Sequence, residues 1–241
     1  MTDAALFTVI ACAGFFVMSL LGFGAALVSV PILAIFFLPK EAIPTYTLLA
    51  LFIELALVIE ARGHIYWPRL TRIMIGGLVG MPIGAIGLKY LPTQTIQSVI
   101  ALATLVFSLL FLFGVKFKLK EAKPTQLGIG LFSGILGGAI AQPGTIVALY
   151  GTAVGWDKNT FRASLLTYFL MLSVVGIVSY LMLGMFSVNS LVTSGVAIVP
   201  GLLTARLGVM LKNKINEKHF RYAVLVLIMI VSMIGLGRYL A

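Results

Sequence analysis

Residues 4–39 read AALFTVIACAGFFVMSLLGFGAALVSVPILAIFFLP, and residues 124–156 read PTQLGIGLFSGILGGAIAQPGTIVALYGTAVGW. Neither stretch carries a charge. Each is broken near its middle by glycine or proline: Gly22-Phe23-Gly24 and Pro31 in the first, Gly137-Gly138 and Gln142-Pro143-Gly144 in the second. As continuous helices they would be about 50 Å long at 1.5 Å per residue, against a hydrocarbon core of about 30 Å. That is too long for one span and too short for two spans and a turn. The length fits two half-helices meeting inside a membrane. Paired broken segments at matching places in two halves of a chain point to a transporter's binding site.

Composition agrees with a membrane reading. Of 241 residues, 61% are hydrophobic and 10% are charged, where soluble domains carry about 25% charged residues. The alternating ten-residue segments of an outer-membrane barrel are absent. A net charge of +10 is explained by Lys and Arg gathering in cytoplasmic loops, which leaves no soluble basic face for nucleic acid. Cys12, the single cysteine, has no disulfide or metal partner and reads as packing. The N-terminus lacks a basic region ahead of a short apolar one, so it is expected to begin the mature fold rather than a signal peptide.

Eight apolar segments follow: the broken Ala4–Leu38, then Ala42–Ile59, Ile73–Leu88 and Thr95–Val115, then the broken Gln126–Val154, Phe161–Leu183, Leu191–Leu211 and Tyr222–Leu240. A basic linker that includes Lys116, Lys118, Lys120 and Lys123 separates two halves with the same order of parts. The expected division is 1–115 as a first transmembrane repeat, 116–125 as a cytoplasmic linker and 126–241 as a second repeat.

Charge decides the topology. If all eight segments cross, eight basic side chains fall on the face that also holds the N-terminus and nine on the other, which gives no orientation. If both broken segments return to their own side, one face gathers Arg62, Arg69 and Arg72, the four linker lysines, Lys158 and Arg162, and the five basic residues from Arg206 to Arg221. That is 14 of the 17 basic residues, and only Lys40, Lys89 and Arg238 remain opposite. The basic face is cytoplasmic by the positive-inside rule. Both termini then lie outside, and the two halves are inverted. The expected fold is all-α: a polytopic helical membrane protein with two inverted repeats, each a broken or re-entrant helical hairpin plus three transmembrane helices. This makes six full spans and two hairpins.

The Gly22-Phe23-Gly24 stretch running to Pro31-Ile-Leu resembles the glycine-rich opening of the sulfite exporter TauE/SafE family, the transporters of sulfur-containing compounds. Phe161-Arg162-Ala-Ser-Leu resembles that family's arginine-containing start of its sixth segment. Pro200-Gly201 through Ala205-Arg206-Leu207-Gly208 resembles its Pro-Gly to Arg-Leu-Gly stretch. The chain departs from the family pattern at Ala25 and Ala26 and at Gln142-Pro143-Gly144, which bears on substrate more than on fold. The resemblance implies export or uptake of small anions such as sulfite or organosulfonates across an inner membrane. Anion channels and carboxylate transporters stay open as alternatives.

Half-helix N-termini supply partial positive charge for an anion. On that basis Gly22, Phe23, Gly24, Ser29, Gln142, Pro143, Gly144 and Thr145 are expected to form the substrate cradle. Arg206 lies within a span and either grips an anion through its planar fork or snorkels to the headgroups. Arg162 is expected at the cytoplasmic mouth. Glu54, the one acid well inside a span, either pairs with Arg206 or carries a coupling proton. Tyr46, Thr47, Thr167 and Tyr168 line the path or bond between helices. Tyr66 and Trp67 read as an aromatic belt, and His64 has no second ligand nearby. No catalytic or nucleotide-binding motif appears, so the chain is expected to be no enzyme and to need no cofactor or metal. Transport then runs on the gradient of the substrate or of a proton or other ion. The expected partners are the anion, the lipid bilayer and, left open, a second copy of the chain.

Overall fold

The computed structural model describes residues 2–114, 122–212 and 214–240; most of the basic linker lies outside them. Ten α-helices make up the described chain. They are α1 (Thr2–Leu21), α2 (Ala25–Phe36), α3 (Pro39–Ala61), α4 (Trp67–Tyr90) and α5 (Thr93–Leu112), then α6 (Lys123–Ile140), α7 (Gly144–Ala153), α8 (Lys158–Met182), α9 (Val188–Leu211) and α10 (Glu217–Leu240). A short 3-10 turn, Arg62–His64, links α3 to α4.

Both broken segments fold back as hairpins. In the first, Gly22 and Gly24 hold positive φ angles of 83° and 96°, a region glycine enters without steric cost. The chain then reverses, so that Ser29 of α2 donates to the Ile10 carbonyl at 3.0 Å and Phe7 meets Phe37 edge to face at 5.8 Å. In the second, the reversal is made at Ala141, whose φ of 53° is the only positive value on a non-glycine residue among those described. Its N–H bonds the Gly137 carbonyl and closes α6, as a left-handed helix stop does. Gln126 at the start of α6 then meets Tyr150 near the end of α7 at 3.1 Å.

The hairpin arms are unequal, which corrects the half-helix expectation. The first arms, α1 and α6, have 20 and 18 residues, or about 30 and 27 Å. The return arms, α2 and α7, have only 12 and 10. Seven described helices are long and apolar enough to cross a membrane (α1, α3, α4, α5, α8, α9 and α10), one more than the six read from sequence. The extra one is α1: nothing breaks the apolar run before Gly22, so the helix continues to Leu21.

Glycine sets the contact between α4 and α6. Gly76, Gly80 and Gly84 on α4 face Gly130, Gly134 and Gly138 on α6, and both rows ascend together, so the two helices run parallel. A Cβ at Gly76 would strike the Leu127 carbonyl, and one at Gly130 would strike the Ile73 carbonyl. Small residues four apart let helix backbones touch where lipid gives no hydrophobic drive to associate. The same device sits at α1 and α9, where Gly208 packs on Phe16 and Ser19. At the centre α3 crosses α8, flanked by α9 and α4, while α5 and α10 pair at one side.

The charges divide by face. Glu60 at the end of α3 binds Arg162 at the start of α8 and, at 2.7 Å, Lys212 just past α9. At the opposite end each basic residue reaches a carbonyl near a helix C-terminus: Lys40 that of Lys89 at 2.9 Å, Lys89 that of Leu183 at 2.7 Å and Arg238 that of Ile35 at 3.4 Å. Cations are favoured there by the helix dipole.

Gly134→Leu must push α6 off the Gly77 backbone. It is expected to cost about 3 kcal/mol or more, seen as loss of a monodisperse peak in detergent. Gly128→Ala, at a helical glycine with nothing within 4 Å, is expected to leave stability equal or slightly raised.

Candidate functional site

The two hairpin tips meet at one cavity of about 50 Å³, room for a few waters or a small ion. Phe23 to Leu27 of the first hairpin and Ala141 to Thr145 of the second form two of its walls. Tyr46, Thr47, Ala50 and Glu54 of α3 and Phe169, Leu172 and Ser173 of α8 form the others, with Met18, Met81 and Gly137 closing the gaps.

The N-termini of α2 and α7 both open onto this space. Their caps are Gly24 and Pro143, and neither cap makes a side-chain hydrogen bond to its helix. The first N–H groups of any helix lack partners within it, and here the sequence supplies no Ser, Thr, Asp or Asn at the cap to take them. By contrast α8 is capped by Asp157, which accepts from Asn159 and Thr160 at 3.1 Å each, and α9 by a Ser187–Ser190 capping box. The starts of α3, α4, α5 and α6 also lack a side-chain cap; what sets α2 and α7 apart is that their uncapped starts line the same cavity.

The second tip is held from behind. Ser133 donates to the Pro143 carbonyl, and Tyr168 donates to Ser133 at 2.9 Å. Tyr180 donates to the Gly138 carbonyl at 2.8 Å, and Gly144 packs against the far edge of the Phe169 ring, where a side chain would not fit. Gln142 spends its amide nitrogen on Thr104 Oγ1 at 2.7 Å, and its Oε1 stays buried without a partner. Thr145 bonds back to the Gln142 carbonyl at 3.1 Å. The Tyr46 hydroxyl is likewise buried and without a hydrogen-bond partner.

Among the described residues Glu54 is the only charged side chain on the cavity wall. It is 6% exposed, and its Oε2 accepts from Ser173 Oγ at 2.6 Å.

The structure therefore brings together Phe23, Gly24, Gln142, Pro143, Gly144, Thr145 and Glu54, and leaves Gly22, Ser29 and Arg206 off the cavity wall. Gly22 sits just outside, against the Arg162 side chain. Arg162 stands behind the first tip, paired with Glu60. Ser29 is fully buried in the α1–α2 seam with its hydroxyl on Ile10, so it is a tie between hairpin arms and not a donor to the cavity. Arg206 is exposed on the outer face of α9 and pairs with neither Glu54 nor the cavity; its position fits snorkelling. Of the four path residues, Tyr46 and Thr47 line the cavity, while Thr167 bonds its own helix and Tyr168 supports the second tip. Sequence reasoning missed Phe169 and Ser173. Ser173 is one of several hydroxyls in its span, and such a hydroxyl serves a helix's own carbonyl as often as a site, as Thr167 and Ser179 do here. Among the described residues no three His, Cys, Asp or Glu side chains gather as a metal site.

Ten described helices, seven of them of spanning length, and a cavity between two hairpin tips define a multi-pass membrane protein built around an internal site. The chain belongs to the sulfite exporter TauE/SafE family, whose sequence model matches residues 6–234. No curated protein and no solved structure matches it.

Glu60 ties α3 to both α8 and α9 at one mouth of the bundle. Glu60→Gln strands the Arg162 guanidinium, whose Nε and Nη2 are already buried without partners. The expected loss is about 1–2 kcal/mol, between the values for exposed and buried pairs, read as a lowered Tm.

Proposed function

We propose that the chain is a secondary transporter of small, sulfur-containing anions such as sulfite or short sulfonates. The anion sits between the N-termini of α2 and α7. The observation that carries this reading is that two uncapped helix N-termini open onto one buried cavity with no lysine or arginine among the described residues of its wall. Aligned backbone N–H groups bind an anion without the desolvation cost of a buried cationic side chain. Gln142 adds a donor: Thr104 can give as well as accept a hydrogen bond, so the amide can turn its nitrogen to the cavity. Phe23, Gly24, Pro143, Gly144 and Thr145 shape the cradle, and Arg162 draws anions toward the cytoplasmic mouth.

The two halves, 1–115 and 126–241 about the linker 116–125, are read as inverted repeats. Matching α1–α5 with α6–α10 turns the α1–α9 contact into α6–α4 and the α3–α9 contact into α8–α4. It leaves α3–α8 and α5–α10 as self-pairs. A two-fold relation requires this pattern of contacts. Each hairpin's long arm is thus sealed onto a helix of the other half. The bodies that move in alternating access are then one hairpin with its partner helix against the other, rather than one sequence half against the other. The face of Glu60, Arg162 and Lys212 is cytoplasmic, and both termini lie outside an inner membrane.

Uptake of radiolabelled sulfite into liposomes holding purified protein is the direct test. Saturable uptake, competed by short sulfonates more strongly than by matching carboxylates, is the expected result, and unsaturable flux would make the protein a channel. Gln142→Leu is expected to weaken sulfite affinity about tenfold, the value of one lost hydrogen bond. A C-terminal tag is expected to label from outside intact cells; labelling only after permeabilisation would reverse the orientation.

A further inference from the structure

The cavity that faces two helix N-termini also holds a carboxyl group, and an ionised carboxylate and an anion do not share so small a space. Two unit negative charges about 5 Å apart at an effective dielectric near 20 repel by an amount worth on the order of a hundredfold in binding. Among the described residues no lysine or arginine lines the cavity to offset them. We propose that the anion binds only when Glu54 is protonated, so that one proton enters the site with each anion and Glu54 is the coupling group of transport. This rests on the reading of the cavity as the anion site.

The surroundings of Glu54 fit a group that changes protonation state in place. Its partner is a hydroxyl, Ser173 Oγ, which donates to a carboxylate and accepts from a carboxylic acid. A lysine or arginine partner would lock the ionised form. From its own helix, Tyr46 is the titratable neighbour. From α8, Tyr168 and Tyr180 have their hydroxyls committed to α6. From α9, Arg206 is exposed and turned away. Helices α2, α4, α6 and α7 contribute backbone, Met81, Gln142 and Thr145 to the wall and no charge. The next charged group along α3, Glu60, is already bound to Arg162 and Lys212. A divalent metal in place of the proton is disfavoured, since one carboxylate falls short of the six to eight oxygen ligands typical of calcium. The protonated Glu54 holds its hydrogen between itself and the anion or Ser173. It releases that proton when the anion has left and water reaches the cavity.

The sign follows directly. Binding is tight while Glu54 is protonated and weakens as pH rises, by up to tenfold per pH unit once the free protein has lost the proton. Methanesulfonate, whose own charge stays fixed over this range, and sulfite are the probes, titrated calorimetrically into the purified full chain. Buffers of different ionisation enthalpy give the proton count. The wild type is expected to take up about one more proton per bound anion than Glu54→Gln at mildly alkaline pH. Glu54→Gln imitates the protonated acid and is expected to bind on the order of a hundredfold tighter than the wild type there, with a flat pH profile. Equal proton counts in the two proteins, or loss of anion binding in a folded Glu54→Gln, would overturn the proposal while leaving the anion site standing. The wild-type profile needs no variant: methanesulfonate affinity that ignores pH overturns it equally. A wild type that binds neither probe at any pH overturns the anion site itself and this inference with it.

Discussion

A backbone that leaves the helix inside a membrane must find partners for its N–H and C=O groups within the protein, because lipid offers none. The rest of this structure is arranged around two such breaks. Each is wrapped by long helices, so that the irregular turns at Gly22–Gly24 and Ala141–Pro143 never meet lipid as bare backbone. The second turn is the more heavily braced: Ser133, Tyr168 and Tyr180 all engage its backbone or that of the helix leading to it. Bracing is needed there because Ala141 sits in a left-handed conformation that costs an alanine about 1 kcal/mol or more. What stays unengaged is the start of each return helix, and those two starts share one cavity.

Close glycine packing makes the wrapping possible. With side chains at Gly130, Gly134 and Gly138, α6 would stand off α4 and its tip would be carried away from α2. The Gly14 contact with Ala25 and Ser29 does the same work within the first hairpin. Backbone contact at these seams therefore sets the distance between the two helix N-termini, so the geometry of the site is fixed by residues that never touch it.

The hairpins were legible in the sequence because their cause is local: glycine and proline in an uncharged run too long for one span. The distribution of basic residues was legible for the same kind of reason. Arm lengths were not, since an apolar run carries no mark of where a bilayer ends. Membership of the cavity was read half correctly. Residues at the tips are placed by the turn itself, so Gly24, Pro143 and Gly144 could be named. Residues on α3, α8 and α9 are placed by helix rotation, which depends on partners far away in the chain. Arg206 shows the difference. Ala197, Gly201, Ala205 and Gly208 form a buried small-residue stripe on α9, and Arg206, one position beyond Ala205, is turned about 100° from it. The stripe was present in the sequence; that it was the inward face followed only from its seat on α1 and α3. Ser173 was hidden for a similar reason, since its acceptor lies on another helix, 119 residues away.

The parallel seam between α4 and α6 has a consequence for how the protein is made. Gly84 leaves the ribosome 54 residues before Gly138, an interval of about 3–10 seconds at ordinary rates of synthesis. During that time the glycine row of α4 has no partner of its own and faces lipid or a waiting insertase. The first half cannot complete its own packing and stays provisional until the second arrives. Biogenesis of this fold therefore runs as an assembly of two unfinished halves within the bilayer, and a nascent chain halted in the linker would be a substrate for membrane quality control rather than a folded domain.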